Sequence, residues 1–284
     1  MYVCKDLRQV LRAPQKVISL DLSSQGLDEF PEEILNCSNL IELSLVRNNI
    51  SELPEDIAIL KNLSALHLSY NPISGLPQSF RSLDLETLTM NNMMFDQFPM
   101  EIVGMKNLRQ LYIGENRLYA IPEEVANLQL EVLDLSGVLC HLIPEFSDSF
   151  KSLNKLRFIG NSRTVLPDWI FSLKNLEYLD LTKCKLFAIP PSIGNLQKLR
   201  YLYLSWNPIT HLPEDIGKCK ELSTIVMSNC KLRSLPRSLP TLPKLSRIEL
   251  NGCEFERFPA QILKMKDVRW NLFDNNFVKD VEDN

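Results

Sequence analysis

Apolar residues recur along this chain at a fixed spacing. In LRYLYLSWNPITHLPEDIGKCKE, residues 199–221, Leu199, Leu202, Leu204, Asn207, Ile209, Leu212, Pro213, Ile216 and Cys219 stand at offsets 0, 3, 5, 8, 10, 13, 14, 17 and 20. A shift of 23 residues reaches the next copy: Leu222, Ile225, Met227, Cys230, Leu232, Leu235, Pro236, Leu239 and Leu242. Leu202 and Leu204 alternate with Tyr201, Tyr203 and Ser205, which predicts a short strand with its leucines turned inward. Such a strand cannot bury its apolar face alone, so successive copies must stack into a parallel sheet. Asn207 predicts a turn whose buried carboxamide, with two donors and an acceptor, serves backbone groups of its own coil and the next. Pro213 suits the first turn of a helix, and Glu214 and Asp215 suit its positive end. Ile216 and Cys219 then fit one face of a short helical or 3-10 segment on the opposite side.

Repeats begin at Val17, Leu40, Leu63, Leu85, Leu108, Leu130, Leu153, Leu176, Leu199, Leu222 and Leu245, and each carries a proline fourteen residues on, from Pro31 to Pro259. Eleven of the 17 prolines therefore belong to one structural column. The pattern L-x-x-L-x-L-x-x-N/C-x-L resembles that of the leucine-rich-repeat family, in its 23-residue LPxxIxxL class. It is similar to the Ras-pathway scaffold proteins and to bacterial leucine-rich-repeat proteins. The resemblance covers nearly the whole chain and implies an α/β fold: a horseshoe-shaped solenoid with a concave parallel sheet and short convex helical or 3-10 segments.

Three regions follow. Residues 1–16 are expected to cap the first coil with a short helix, its apolar face Val3, Leu7, Val10 and Leu11 and its stop Pro14. Residues 17–267 hold eleven repeats. Residues 268–284 form a degenerate twelfth repeat starting at Val268, keeping Phe273, Asn276 and Val278 but placing Asn271 where an inward leucine belongs, and ending in the acidic stretch 280–284. The middle is least regular. Spacings of 22 precede Leu85 and Leu130, and those repeats carry Met93 and Val138 in the asparagine column. Ser147 replaces an isoleucine and Arg163 occupies an apolar position. These departures read as tolerated drift or as a softened joint.

Composition adds limits more than detail. The chain is 45% hydrophobic and 23% charged, with net charge −4, so no nucleic-acid backbone is expected as main partner. No apolar run is long enough to span a membrane, and Lys5, Asp6, Arg8 and Arg12 leave no signal-peptide core at the N-terminus. Cys184, Cys230 and Cys253 fall in the asparagine column, where a thiol is a weak donor. Cys37 and Cys219 fall at offset 20 and Cys140 at offset 10, as small core residues. Seven cysteines without cysteine-rich flanks point to a reducing, cytoplasmic setting. Cys230 and Cys253 lie one coil apart, leaving a two-thiol metal site as an alternative, but no histidine or acid column completes it. His67, His141 and His211 are three coils apart, about 15 Å between neighbours. Sequons at Asn36, Asn49 and Asn62 matter only if the chain is secreted. No catalytic constellation, cofactor or metal set is legible, and no enzyme is expected.

Specificity should lie in the variable inner-face columns, at offsets 2, 4, 6 and 7. Tyr178 and Tyr201 are neighbours in one column, with Tyr203 and Trp206 beside them and Arg157, Asp180 and Lys183 at the border. Tyrosine, tryptophan and arginine are the residues that anchor interfaces, although exposed tyrosines also simply favour strands. Tyr112, with Arg109 and Glu115, forms a weaker group, and Tyr70 and His67 lie two coils away. The expectation is a monomeric, non-catalytic module binding a partner protein through its concave face, in signalling or assembly. The alternatives are a secreted or surface-attached bacterial adhesion or effector protein, its export segment lying upstream, and a specificity subunit of an enzyme complex.

Overall fold

Each repeat contributes one strand of three residues, and the strands lie parallel in chain order. A computed structural model describes residues 3–138, 144, 146, 150–161, 166–265 and 267–277. The chain divides into two units, Met1–Ser152 and Leu153–Asn284. The first holds β1 (Val3–Cys4), β2 (Ser19–Asp21), β3 (Glu42–Ser44), β4 (Ala65–His67), β5 (Thr87–Thr89), β6 (Gln110–Tyr112) and β7 (Val132–Asp134). The second holds β8 (Lys155–Arg157), β9 (Tyr178–Asp180), β10 (Tyr201–Tyr203), β11 (Thr224–Val226), β12 (Arg247–Glu249) and β13 (Arg269–Asn271). Pairing joins like offsets: Glu42 with Ala65 and Ser44 with His67 in the first unit, Tyr178 with Tyr201 and Asp180 with Tyr203 in the second. Offsets 2 and 4 thus become continuous columns on one face. The leucines between and after them, such as Leu43, Leu45, Leu202 and Leu204, are fully buried. Each such burial stabilises the fold by roughly 1.5–3 kcal/mol.

After each strand from β2 on, the chain turns through a left-handed residue at offset 7, from Ser24 (φ 57°) through Lys183 (60°) and Trp206 (61°) to Asp274 (57°). This turn aims its N–H at the next coil: Lys183 donates to the Ser205 carbonyl and Trp206 to that of Ser228. The asparagine column works as its chemistry requires. Asn207 Nδ2 donates to the Leu181 and Leu204 carbonyls, both at 2.8 Å, while its Oδ1 accepts from the Cys184 and Leu186 N–H groups at 3.0 Å. Asn48, Asn71 and Asn116 repeat the two donated bonds. Asn48 and Asn116 also accept two N–H groups each, and Asn71 Oδ1 accepts the Ile50 N–H at 3.1 Å. The column cysteines keep one arm of it. The thiols of Cys184, Cys230 and Cys253 donate to the carbonyls of Phe158, Leu204 and Met227 in the preceding coil, at 3.0, 3.3 and 3.2 Å. Engaged in this way, Cys230 and Cys253 behave as ladder residues and core packing.

On the opposite side the segments are 3-10, as at Glu55–Ile59, Glu123–Asn127 and Glu214–Lys218. Pro213 stands just before its segment with extended backbone, rather than in the first turn, and its carbonyl accepts the Ile216 N–H at 3.1 Å. Glu214 does not serve its own segment. Its carboxylate accepts the Arg237 and Ser238 N–H groups of the next coil at 2.9 and 2.8 Å, and Glu55 does the same for Gln78 and Ser79. The orphan donors at a helix start are met from the neighbouring coil. The short spacings before Leu85 and Leu130 coincide with a change in local backbone. Leu83 and Leu128 leave their segments with ψ of 145° and 141°, whereas Leu60 and Cys219 turn at 65° and 72°. At these two coils an extended exit accompanies the missing residue, whereas the 22-residue step to Asp267 follows Met265 at ψ 87°.

Both ends differ from the sequence reading. Val3 lies in strand β1 beside Ser19, not in the helix, which spans Leu7–Arg12. Val10 is buried, whereas Leu11 is 61% exposed and belongs to the outer surface. The last coil starts at Asp267, one residue earlier than expected. Arg247 pairs with Arg269 and Ile248 with Trp270. Asn275, not Asn276, fills the ladder, donating to Leu250 and Leu272 and accepting from Phe255. Leu272 takes the inward position in place of Phe273, which is 70% exposed. Asn271 falls on the strand face, so no inward leucine is lost there. Cys140, His141, Ser147, Arg163, Val278 and the acidic stretch 280–284 lie outside the described residues.

Candidate functional site

Strands β8 to β10 set side by side the aromatic residues that the columns predicted. Register alone places Tyr178 next to Tyr201, and the ring centroids lie 6.2 Å apart at 43°. Tyr203, diagonal to Tyr178, comes closer, at 5.1 Å and 35°. Both distances lie in the range where aromatic pairs attract. The three rings are half-buried and form a platform on a stiff sheet. Burial, the Asp180 carboxylate and Tyr203 together push the Tyr178 phenol up to about 12, so it remains a hydrogen-bond donor at neutral pH. Burial also raises the Tyr203 phenol.

Trp206 stands at the rim, 57% exposed. It occupies the left-handed turn position, where a bulky side chain is costly and glycine or asparagine would be easier. An exposed ring at such a position adds little to folding. Cations flank the platform: Lys155 Nζ is 4.8 Å from the Tyr178 centroid, Lys183 Nζ is 5.8 Å from Trp206, and the Arg200 guanidinium is 5.7 Å from Tyr201. Arg157 lies near enough to Tyr178 to favour its ionised form. Lys155 and Arg200 were not among the residues singled out by sequence. Lys155 was legible as a member of the offset 2 column, whereas Arg200 sits at offset 1 and carried no signal.

Asp180 plays a different part from its neighbours. Only 7% exposed, it accepts the Thr182 N–H at 3.1 Å and the Tyr178 hydroxyl at 3.4 Å. It shapes the strand exit and orients a tyrosine. Asp21 and Asp134 accept the N–H two residues on in the same way, and Ser23 holds the Asp21 carboxyl below its ordinary value. Tyr112 belongs to the first unit, on β6, where its hydroxyl donates to Gln110 Oε1 at 3.3 Å. The expected group of eight thus resolves into six residues around one platform, one buried support and one tyrosine in the other unit.

A family model described as a leucine-rich repeat region matches residues 189–270, and a leucine-rich-repeat model matches residues 62–83 and 175–196. No curated protein matches the chain. Among solved structures, a leucine-rich-repeat protein of Leptospira interrogans is similar at 26% identity and a TM-score of 0.70, over 98% of this chain and 95% of that one. The Arabidopsis receptor kinase HAESA, solved with the peptide hormone IDA and the co-receptor SERK1, is similar at 28% identity and a TM-score of 0.75. That match covers 93% of this chain and 47% of the receptor chain. A TDR receptor structure matches at 26% identity and a TM-score of 0.75, over 97% of this chain and 51% of that one. This chain spans about half the length of these receptor chains.

Proposed function

We propose that this chain, a leucine-rich-repeat protein, is a non-catalytic module that binds a partner protein through the strand face of its second unit. The observation that carries this reading is the exposed Trp206 in a strained turn beside the Tyr178, Tyr201 and Tyr203 platform. Rings held on a rigid sheet lose little freedom on binding, so the ordering cost of using them is small. Peptide recognition by HAESA lends support, since a similar solenoid there presents a surface to a peptide ligand. The anchor is Tyr201, Tyr203 and Trp206, with Tyr178 on the adjacent strand and Arg157, Lys155 and Lys183 around it.

Placement in a reducing compartment, as a signalling or assembly scaffold, rests on the thiols. Six free cysteines stand at described positions, and five of them are buried. Buried thiols in the ladder and core suit a cytosolic protein better than an extracellular one. The similarity to the HAESA ectodomain favours a second reading, a secreted or surface-attached receptor-like module. No helix among the described residues is long and apolar enough to cross a membrane.

The test is affinity capture after crosslinking in native lysate, comparing the chain with its Tyr203→Ala/Trp206→Ala variant. Each anchor truncation costs about 2 kcal/mol, so the pair should weaken the main partner several-hundred-fold. A partner kept by that variant but lost on charge reversal at Glu32 and Glu33, on the 3-10 side, would overturn the reading.

A further inference from the structure

The charges around the platform are not balanced. Lys155 and Lys183 each lie over a ring, and a cation held by a ring keeps N–H donors for a second ligand. The carboxylates of the same region are already engaged within the protein. Asp180 is buried on Thr182 and Tyr178. Glu177 lies 3.5 Å from Arg200, and Glu249 lies 3.0 Å from Arg247. Arg157 adds positive charge near Tyr178. Coils seven to nine therefore present positive charge interleaved with aromatic rings. The strand face of the first unit carries no such excess of cations: Arg47 stands in its columns with Asp21, Glu42, Glu115 and the buried Asp134.

We propose that the platform takes an extended acidic peptide segment, with Asp or Glu side chains meeting Lys155 and Lys183 and apolar side chains lying on Tyr203 and Trp206. The inference rests on the strand face of the second unit being the binding surface, and adds the chemistry of its partner. Charge complementarity selects an anionic ligand. The arrangement of the rings selects a peptide over a nucleic acid. Tyr178, Tyr201 and Tyr203 pack on one another at 5.1 and 6.2 Å instead of standing apart as slots for bases. The cations are spaced singly among them rather than gathered into a run that would follow a phosphate backbone.

The experiment is selection of a random dodecapeptide library on the immobilised full chain, followed by fluorescence anisotropy of the best peptide. Enriched peptides should be rich in Asp and Glu, and selection on Lys155→Glu/Lys183→Glu should turn toward basic ones. The best acidic peptide should lose at least about tenfold in affinity for Lys155→Ala/Lys183→Ala and weaken as salt is raised. Coincident thermal melts of all variants keep folding out of the comparison. Enrichment of neutral or basic peptides, no enrichment, or equal binding of acidic peptides by the charge-reversed chain would overturn the proposal. So would displacement of the peptide by a mixed-sequence single-stranded DNA at a lower concentration than the peptide itself requires. If Tyr203→Ala/Trp206→Ala abolishes capture of the native partner while Lys155→Ala/Lys183→Ala leaves it intact, the binding face stands and its acidic ligand does not. If the aromatic variant keeps its native partner, the face itself is wrong.

Discussion

At the scale of single residues, the ladder column shows how much one side chain can hold. Asn207 satisfies two carbonyls and two N–H groups in the interior, whereas Cys184, one coil before it, donates a single bond to the preceding coil. A buried backbone group left unpaired costs roughly 1–3 kcal/mol. Asn207→Ala should therefore destabilise the chain by about 3 kcal/mol or more, Cys184→Ala by about 1, and Tyr203→Ala, whose half-buried ring packs on Tyr178, by about 1. Asn207→Cys should fall between the first two, because a thiol restores one donor. Urea melts of the four variants check the order, and equal losses at Asn207 and Tyr203 would contradict the face assignment. The same burial silences the thiols. It pushes Cys184 and Cys230 up to about 12 and Cys37 and Cys219 up to about 11, and it raises Cys253 as well. These five should resist an aromatic disulfide reagent at pH 8 in the native chain and react promptly once urea unfolds it.

At the scale of the repeat, two links between coils make separate predictions. The carboxylates of Glu55 and Glu214 are held below their ordinary value by N–H groups of the next coil. A depressed carboxylate contributes stability that is present above its unfolded pKa and lost as pH falls through the folded one. The urea midpoint should therefore decline on acidification from about pH 5 to about pH 3, and Glu55→Gln/Glu214→Gln should flatten that decline. An unchanged slope would show that these caps carry no linkage. The other link is the one Met93 cannot make. Asn116 Oδ1 accepts the Met93 and Phe95 N–H groups, and Asn207 Oδ1 accepts those of Cys184 and Leu186. Met93 offers no such acceptor to the coil before it, so the Asn71 and Ile73 amides should exchange faster than those of Cys184 and Leu186 by about tenfold or more. Equal protection factors would mean that packing alone holds that coil. The column was legible in the sequence because a carboxamide at a fixed offset has one obvious use. The cross-coil cap was not, because a glutamate after proline reads equally well as serving its own helix start.

Across the whole molecule, the repeat was legible because one period must satisfy strand, turn, ladder and 3-10 segment together. Eleven prolines at one offset leave no second solution. The ends were harder to place. At the last coil, two adjacent asparagines offered two frames, and pairing of Ile248 with Trp270 chose the one whose strand face carries Asn271. At the first, Val3 and Val10 share helical spacing by accident of a strand followed closely by a helix. The aromatic platform was legible from the columns, because parallel register keeps like offsets together. Its cations were only partly so, since Lys155 reaches Tyr178 from its own column while Arg200 reaches Tyr201 from outside the four columns. Nor could spacing say that Asp180 would be buried on its own backbone.

The most direct measurement of the central claim is position-specific photocrosslinking of the native partner. Benzoylphenylalanine at Tyr203 should crosslink to the partner, and the same probe at Glu32, exposed on the 3-10 side, should not. Crosslinks from Glu32 with none from Tyr203 would contradict binding through the strand face of the second unit.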